Sequence, residues 1–291
     1  MSSVLNKSNP VLNQAVNTTG LGPAVAVVQL VSKLSVEDNL LEAALQIQRA
    51  SLQGAQLIML PESFAVFGDP QMVSHGAAAK PQQGLRLWLS QQAKVNKVWL
   101  IGGTIPCQQG IRDINKVRSA CFVYDSEGCE VARYDKIHMF DVDIEDSHGS
   151  YRESDTFEAG DKLVVIDTPV GKVGLTICYD LRFAEIHAKL VDLGAQIIVN
   201  GAAFTKTTGQ AHWHTLLRAR AIETQCYFLA ASHGGQHDHR QTYGHSMIID
   251  PWGEILVELG EGPGFAVARV NLDHLQAIRT AFPLQSQRRL K

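Results

Sequence analysis

Short apolar runs bounded by turn-forming residues recur along the chain and alternate with stretches of helical periodicity. The first run, residues 24–30, is followed by Ser35, which fits a helix N-cap, and then by apolar residues at helical spacing. The same patterns predict strands at residues 57–60, 98–101, 120–124, 130–134, 163–166, 173–177, 196–200, 227–231, 246–249, 255–258 and 266–270, and helices at about residues 181–193 and 211–224. Strands and helices interleaved in this way pack as layers, so the pattern predicts an α/β fold.

Length and composition indicate one folded unit. A chain of 291 residues with 45% hydrophobic residues can bury a single large core, and α/β folds of this size commonly form one domain. Residues 1–22 are rich in Ser, Asn and Thr and lack the basic start and apolar block of a signal peptide, so they are interpreted as a flexible N-terminal extension. The folded domain is therefore expected to cover residues 23–291.

Charge, hydropathy and cysteine usage limit the partners and the compartment. A formal net charge of −3 gives no electrostatic footprint for nucleic acid. The longest apolar runs, such as residues 24–28, are far too short to span a bilayer. The five cysteines are an odd number and contain no CxxC pair, which favours reduced thiols and a cytoplasmic location. We therefore expect no nucleic-acid or membrane partner.

Three predicted strands end on side chains that can do chemistry. Glu62, Lys136 and Cys178 follow the runs before them in that order along the chain. Each has a structural explanation of its own, because strand ends often carry charge, an edge lysine is commonly salt-bridged, and a free cysteine is commonly a small buried hydrophobe. A carboxylate, an ammonium and a thiol at three strand ends together favour a catalytic site.

Cys178 is the best candidate nucleophile in the sequence. Apolar residues lead up to it and polar residues follow at once, a pattern similar to the nucleophile elbow of α/β hydrolases with sulfur in place of oxygen. A helix that begins after it is expected to present free backbone N–H groups and a positive terminus, which favour the thiolate. The pattern therefore predicts a reactive thiol.

Hydrolysis of an amide by a thiol needs a base, a stabiliser of the oxyanion and an acid for the departing amine. Glu62 suits the base and the acid. Lys136, with the backbone N–H after Cys178, suits the oxyanion because a compact ammonium places its charge at one oxygen. Water then attacks the thioester, again with Glu62 as base. The expected reaction releases ammonia and needs no metal and no organic cofactor.

The segments around these residues resemble the nitrilase superfamily of carbon-nitrogen hydrolases from about Val25 to Arg289. They read LPESF around Glu62, YDKIHMFDVDI around Lys136, and GLTICYDLRFAEI around Cys178. The order of these three residues is similar to the Glu-Lys-Cys triad of that superfamily. A fourth segment, RESDTFEAGD, also matches. Two later segments, TGQAHWHTLLRARAIETQCY and YGHSMIIDPWGE, are most similar to the branch that includes deaminated glutathione amidase.

The resemblance implies a four-layer αββα sandwich and a homodimer paired through helices. It implies two supporting residues, Glu153 as a second glutamate near the lysine and Tyr179 beside the nucleophile. From the residues alone, Glu153 fits equally a solvated charge in an acidic loop. The resemblance also implies that residues 272–291 reach across to the partner subunit as an extended basic tail.

Deaminated glutathione is the substrate that the resemblance favours. This compound carries carboxylates, so its pocket should offer cations near the triad. The candidate substrate-binding residues, chosen by position, are Arg182, Phe204, Lys206 and Arg240. Relatives often carry Pro and Glu where this chain has Gln210 and His214, so specificity can differ. Short ω-amides such as α-ketoglutaramate and N-carbamoyl amino acids remain alternative substrates, and a nitrile is less favoured.

Two alternatives come from other functional classes. His233, His237 and His239 lie in a Gly-rich polar segment interpreted as a mobile loop, and with His212 and His214 they contain two H-x-H pairs, which fits a zinc-dependent hydrolase. Their spacing matches no defined zinc signature. The other alternative is a scaffold protein without catalytic activity. The presence of all three triad residues argues against it.

Overall fold

The computed structural model describes residues 13–17, 20–68, 71–144, 149–237 and 240–289. The helices are α1 Val36–Leu52, α2 Met72–Ala78, α3 Gly84–Asn96, α4 Ala184–Asp192, α5 Lys206–Thr224, α6 Leu272–Ala281 and α7 Leu284–Gln287, with 3-10 turns at Glu153–Asp155 and Cys178–Arg182. The strands are β1 Asn13–Val16, β2 Ala24–Gln29, β3 Ala55–Met59, β4 Trp99–Ile101, β5 Ile105–Cys107, β6 Arg118–Tyr124, β7 Glu130–Asp135, β8 Asp141–Asp143, β9 Ser150–Arg152, β10 Val165–Thr168, β11 Gly171–Ile177, β12 Ile197–Ala202, β13 Tyr227–Ser232, β14 Gly234–Gln236, β15 Gln241–Tyr243, β16 Met247–Ile249, β17 Ile255–Glu258 and β18 Gly264–Arg269.

The strands form two large mixed sheets and two small hairpins. The first sheet has the order β1-β18-β2-β3-β4-β6-β5, with β7 paired to β6. The second has the order β10-β11-β12-β13-β16-β17, in which β11, β12 and β13 run parallel. The pairs β14-β15 and β8-β9 are antiparallel. Each large sheet therefore has a parallel centre flanked by antiparallel strands.

Alternate residues of one strand belong to two different cores. In β2, Val25 and Val27 pack between the sheets, against Leu175 of β11 and its neighbours. Ala26 and Val28 face the other way and pack with Ile47 of α1. The side chains of a strand alternate between its two faces, so this sheet is covered by helices on one side and by the second sheet on the other.

Helices also cover the outer face of the second sheet. A side chain at Gly174 of β11 would lie 3.2 Å from Leu190 of α4, so the helix packs directly on the strand. Trp213 and Leu217 of α5 are fully buried in the same core. The layers are therefore helix, sheet, sheet and helix, the four-layer αββα sandwich that the resemblance implies.

The N-terminal segment differs in part from the expectation of a flexible extension. Asn13–Val16 pairs in parallel with β18, so strand pairing begins before residue 23. The expectation is wrong for this strand, because its backbone groups form hydrogen bonds with β18. The rest of the segment lies largely outside the described residues.

The C-terminal segment forms two short helices, α6 and α7, and not an extended tail. Arg279 donates to the carbonyl oxygens of Gln225 and Ala195, and Arg288 pairs with Asp192. These contacts lie within one subunit. Among the described residues, no helix has both the length and the apolar composition needed to cross a bilayer.

Candidate active site

The three strand ends singled out in the sequence open onto one cavity of about 260 Å³. Glu62 follows β3 of the first sheet, Lys136 follows β7 of the same sheet, and Cys178 follows β11 of the second sheet. Ligands bind at the carboxyl ends of parallel strands in open α/β sheets. The two sheets thus contribute different functional groups to one site.

The turn that carries Glu62 is tightly braced. Ser63 has a positive φ of 53°, and its N–H donates to Thr104 Oγ1 at 2.8 Å. A Cβ at Gly103 would lie 2.0 Å from the carbonyl oxygen of Pro61, so only glycine fits there. These contacts fix the direction in which the Glu62 side chain leaves the sheet.

His233 also supports the turn that carries Glu62. Burial lowers the pKa of His233 to about 3, so the ring is neutral and has one N–H. Its Nε2 lies 2.7 Å from the Glu62 carbonyl oxygen, whereas its Nδ1 lies 3.2 Å from the Leu30 carbonyl oxygen. The shorter contact assigns the proton to Nε2, which donates to Glu62. Sequence reasoning missed this role because the contact joins residues far apart in the chain.

Lys136 lies between two carboxylates. Its Nζ donates to Glu62 Oε1 at 2.7 Å and to both carboxylate oxygens of Glu153 at 2.8 Å. Burial lowers the pKa of Lys136, but Glu153 and then Glu62 outweigh it and hold the pKa well above its usual range. The side chain is therefore an ammonium, buried and hydrogen-bonded on both sides.

Glu153 occupies the 3-10 turn that follows β9, and its side chain is only 14% exposed. One of its oxygens also accepts the N–H of Phe140 at 2.7 Å. Burial raises the pKa of Glu153, Lys136 opposes that rise, and Glu62 adds to it by repulsion. The interpretation of Glu153 as a solvated loop charge is wrong, because β8 and β9 fold this segment over the lysine.

Cys178 has the backbone of a nucleophile elbow, with a positive φ of 44° directly after β11. Burial and then the Glu62 carboxylate raise the pKa of its thiol well above the usual range, which outweighs Lys136 and a backbone hydrogen bond from Ala203. The effect expected of the strand-to-helix turn, which favours the thiolate, is therefore outweighed by burial and Glu62. A raised pKa means that the proton must be removed by a base when the sulfur attacks.

Asp180 links two of the strand ends and was not singled out from the sequence. This fully buried carboxylate accepts the hydroxyl of Tyr134 at 2.7 Å and the N–H of His138 at 3.0 Å. It also accepts the N–H of Ile177 at 2.9 Å. Tyr134 and His138 flank Lys136, so one side chain ties the lysine strand to the cysteine elbow. The only sequence signal is its position two residues after the cysteine.

The lining of the cavity also includes aromatic and cationic side chains. Tyr179, Arg182, Phe204 and Arg240 all line it. The guanidinium of Arg182 lies over the rings of Tyr179 and Phe204, at 5.7 and 5.1 Å from their centroids. The guanidinium of Arg240 lies over Phe67, at 5.0 Å. Among the described residues, neither arginine forms an ion pair with a carboxylate.

Lys206 and those predicted metal-ligand histidines that the structure describes do not line this pocket. Lys206 pairs with Glu261 and is not among the lining residues. His233 and His237 are buried rather than part of a mobile loop, and the neighbouring strands β14 and β15 pair with each other. His237 contacts the Ser32 carbonyl and the Thr242 hydroxyl. His239 lies outside the described residues, and His212 contacts Arg182.

Comparisons with known proteins agree with this geometry. Residues 24–280 match the model of the carbon-nitrogen hydrolase family. A deaminated glutathione amidase from Yersinia enterocolitica is 41% identical over 266 residues, which cover 91% of this chain and 92% of that protein. The crystal structure of Nit3 from Saccharomyces cerevisiae, a member of branch 10 of the nitrilase superfamily, has a TM-score of 0.83 at 32% identity, covering 95% of this chain and all of that one.

A third similar protein is an amidase of the nitrilase superfamily from Nesterenkonia. Its structure has a TM-score of 0.73 at 25% identity, covering 90% of this chain and 98% of that chain. In that structure acrylamide is attached to the active-site cysteine by Michael addition. The fold and the site thus define a hydrolase of the nitrilase superfamily. This chain belongs to the carbon-nitrogen hydrolase family and is an amidase that acts on carbon–nitrogen bonds.

Proposed function

We propose that Cys178 is the nucleophile of this amidase, with Glu62 as base and acid and Lys136 as the cation that stabilises the oxyanion. The observation that carries the proposal is that the Cys178 thiol opens onto the same cavity as the ion-paired Glu62, Lys136 and Glu153. Glu153 holds the ammonium from the side opposite Glu62, and Tyr179 lines the cavity beside the thiol. Neither hydrolytic step uses a metal or an organic cofactor.

The reaction proceeds in two balanced steps. Glu62 takes the thiol proton as sulfur attacks the carbonyl carbon, and Lys136 holds the negative charge that develops on oxygen. The C–N bond breaks as Glu62 returns the proton to the departing amine, which leaves a thioester on Cys178. Water then attacks the thioester and gives its proton to Glu62. The C–S bond breaks, the acid leaves and the thiol is restored.

The substrate proposed for this pocket is deaminated glutathione, the compound named for the Yersinia relative. This molecule has a 2-oxo acid carboxylate at one end and a glycine carboxylate at the other. Two cations without ion-pair partners among the described residues, Arg182 and Arg240, line the cavity on separate aromatic surfaces. A guanidinium binds a carboxylate through two parallel hydrogen bonds. The charges of this cavity therefore suit a dicarboxylate amide.

The chemistry of this substrate corrects the expectation of ammonia release. Deaminated glutathione has two secondary amides and no primary carboxamide, so the departing group is an amine-bearing fragment. The amide that joins the 2-oxoglutarate part to cysteine is not an α-peptide bond. Its cleavage gives 2-oxoglutarate and cysteinylglycine. Ammonia is expected only from ω-amides such as α-ketoglutaramate or from carbamoyl compounds.

The test is a comparison of four substrates with the purified enzyme. Release of 2-oxoglutarate from deaminated glutathione is measured beside ammonia release from α-ketoglutaramate, an N-carbamoyl amino acid and a simple nitrile. The proposal predicts the highest kcat/KM for the first compound and loss of that activity after alkylation of the thiol. A higher kcat/KM for α-ketoglutaramate or for the carbamoyl compound would replace the proposed substrate with that class.

Arg182 and Arg240 offer a direct check of the carboxylate subsites. Replacing either with Met keeps much of the apolar contact with the aromatic rings but removes the charge. We expect KM for deaminated glutathione to rise by about tenfold or more in each variant, with a smaller change in kcat. Lys206→Met is the matched control, because Lys206 lies outside the cavity. Equal KM values in all four proteins would remove the arginines from the substrate site.

We also propose that the enzyme is a homodimer located in the cytoplasm. The dimer follows from the family resemblance, and analytical ultracentrifugation at micromolar concentration tests it by mass. The cytoplasmic location is supported by the need to keep a catalytic thiol reduced, together with the five free cysteines. Cell fractionation with activity measurements tests the location. No nucleic-acid or membrane partner is proposed.

A further inference from the structure

Three side chains outside the cavity point their ligand atoms at one another. His214 lies on α5, His245 lies between β15 and β16, and Glu258 ends β17. His214 Nε2 lies 2.8 Å from Glu258 Oε1, and His245 Nδ1 lies 2.6 Å from the same oxygen. All three ligand atoms lie within 4.8 Å of one another. None of the three residues lines the cavity of the candidate active site.

The surrounding residues hold both imidazoles in place. The ring of Tyr243 stacks on His245 with centroids 4.3 Å apart and meets the edge of His214 at 6.0 Å. Trp213 donates its indole N–H to the carbonyl oxygen of His245 at 2.8 Å. His245 also has a positive φ of 54°, a conformation that costs energy for a residue with a side chain. The cluster is therefore oriented by its neighbours before any ligand arrives.

The donor set fits a divalent transition-metal ion. Two imidazole nitrogens and one carboxylate oxygen are the ligands that Zn²⁺ takes when it keeps one position open for water. Tetrahedral bonds of about 2.0–2.1 Å separate neighbouring ligand atoms by roughly 3.3 Å, so each ring needs to move from the carboxylate by less than about 1 Å, and the two imidazole nitrogens need to settle at a similar separation. Among the described residues, no arginine or lysine forms an ion pair with Glu258 that would compete with a cation. The side chains are 26–35% exposed, so water can supply the remaining ligand.

We propose that His214, His245 and Glu258 bind one Zn²⁺ or a similar divalent first-row ion. The ion joins α5, the segment after β15 and β17 at a place separate from the cavity. The structural effect of the ion reaches the lining of the cavity through Tyr243, whose N–H donates to the carbonyl oxygen of Phe204 at 3.0 Å. The site stabilises this corner of the fold and takes no part in the hydrolytic steps.

The test measures metal binding by full-length, tag-free protein that carries Cys178→Ala, which removes a competing thiol. Zn²⁺ is titrated by calorimetry, and Co²⁺ is titrated by its visible absorption. The proposal predicts one equivalent bound and a higher Tm with metal. We expect His214→Ala, His245→Ala and Glu258→Gln each to weaken binding by more than about tenfold. His274→Ala is the matched control, because His274 pairs with a single carboxylate, that of Asp250, outside this cluster.

Two results would overturn the proposal. One is the absence of saturable binding of either ion at concentrations up to the millimolar range. The other is binding of equal strength in the wild-type cluster and in the His214→Ala variant, which would place the ion elsewhere. His214 lies on a helix and is partly exposed, so its replacement by alanine leaves the fold intact, and circular dichroism verifies this. The readout is metal affinity, so the outcome does not depend on which amide the enzyme hydrolyses.

Discussion

At the scale of single residues, the central feature is an ammonium shared by two carboxylates beside a protonated thiol. The sequence predicted Glu62, Lys136 and Cys178 as residue types suited to amide hydrolysis. It could not predict that Glu153 contacts the lysine through both oxygens, because that depends on how the acidic segment folds back through β8 and β9. It also predicted a thiolate from the strand-to-helix transition, whereas burial and Glu62 favour the thiol.

Replacing Lys136 tests the role of the ammonium. Lys136→Met removes the charge while retaining much of the buried volume, and we expect kcat/KM to fall by about 10²–10³, the loss seen when an oxyanion donor is removed. The two carboxylates that remain face each other without a counter-ion, so the variant should also unfold at lower urea concentration. Lys172→Met is the control, because Lys172 is an exposed residue paired with Asp167. A wild-type rate in Lys136→Met would remove the ammonium from the mechanism.

Replacing Glu62 tests the cause of the raised thiol pKa. The carboxylate raises the pKa of Cys178 by repelling the thiolate. Glu62→Gln should therefore shift the pH midpoint of thiolate formation downward, even though amide hydrolysis is lost with the base. Thiolate absorbance near 240 nm, corrected with the Cys178→Ala protein, measures the midpoint. No shift in the variant would remove Glu62 as a cause of the raised pKa, and an upward shift would contradict the direction assigned to it.

At the scale of elements, the site depends on contacts between strand ends that are distant in the chain. Asp180 in the turn after β11 binds residues on both sides of Lys136, so β7 and β11 are fixed relative to each other. The strands of the two large sheets were predicted except β1 and β5, whereas the short strands β8, β9, β14 and β15 were not. The helix with Ser35 as N-cap is confirmed, since Ser35 accepts the N–H of Asp38 as expected. The helices α2, α3, α6 and α7 were not predicted, and the histidine segment was interpreted as a loop.

The elements that the sequence did not predict have a common physical cause. Helix α2 contains Gly76 in a short segment with no side-chain cap hydrogen bond, so local signals for it are weak. The hairpin of β14 and β15 is polar and Gly-rich, but His233 becomes buried by donating to the carbonyl oxygen of Glu62, and His237 by contacting the carbonyl oxygen of Ser32. Such elements are stabilised by tertiary contacts, which no local pattern records.

Removing the Asp180 carboxylate tests the link between the two strands. Asp180→Ala leaves the buried hydroxyl of Tyr134 and the N–H of Ile177 without their acceptor, so we expect a loss of about 3 kcal/mol in the free energy of unfolding. Tyr134→Phe removes one of these hydrogen bonds and should cost about 1 kcal/mol. Urea denaturation followed by fluorescence gives both values. A loss in Asp180→Ala no larger than that in Tyr134→Phe would contradict the linking role.

At the scale of the whole molecule, the active site exists because two sheets meet. The first sheet supplies Glu62 and Lys136, and the second supplies Cys178. Periodicity predicted an α/β protein but not four layers, because the same alternation within a strand is expected whether its second face meets helices or another sheet. The family resemblance supplied that step. Because both sheets contribute residues to the site, activity requires correct packing between the sheets as well as the right residues at the strand ends.

The most direct test of this account compares product release from deaminated glutathione by the wild-type enzyme and by Cys178→Ala. The substitution removes only a small buried side chain, so circular dichroism and Tm should remain close to wild type. We expect 2-oxoglutarate release to fall by at least about 10⁴-fold, as for loss of a catalytic nucleophile. A folded variant that keeps a tenth or more of the wild-type rate would contradict the thioester mechanism and the assignment of Cys178.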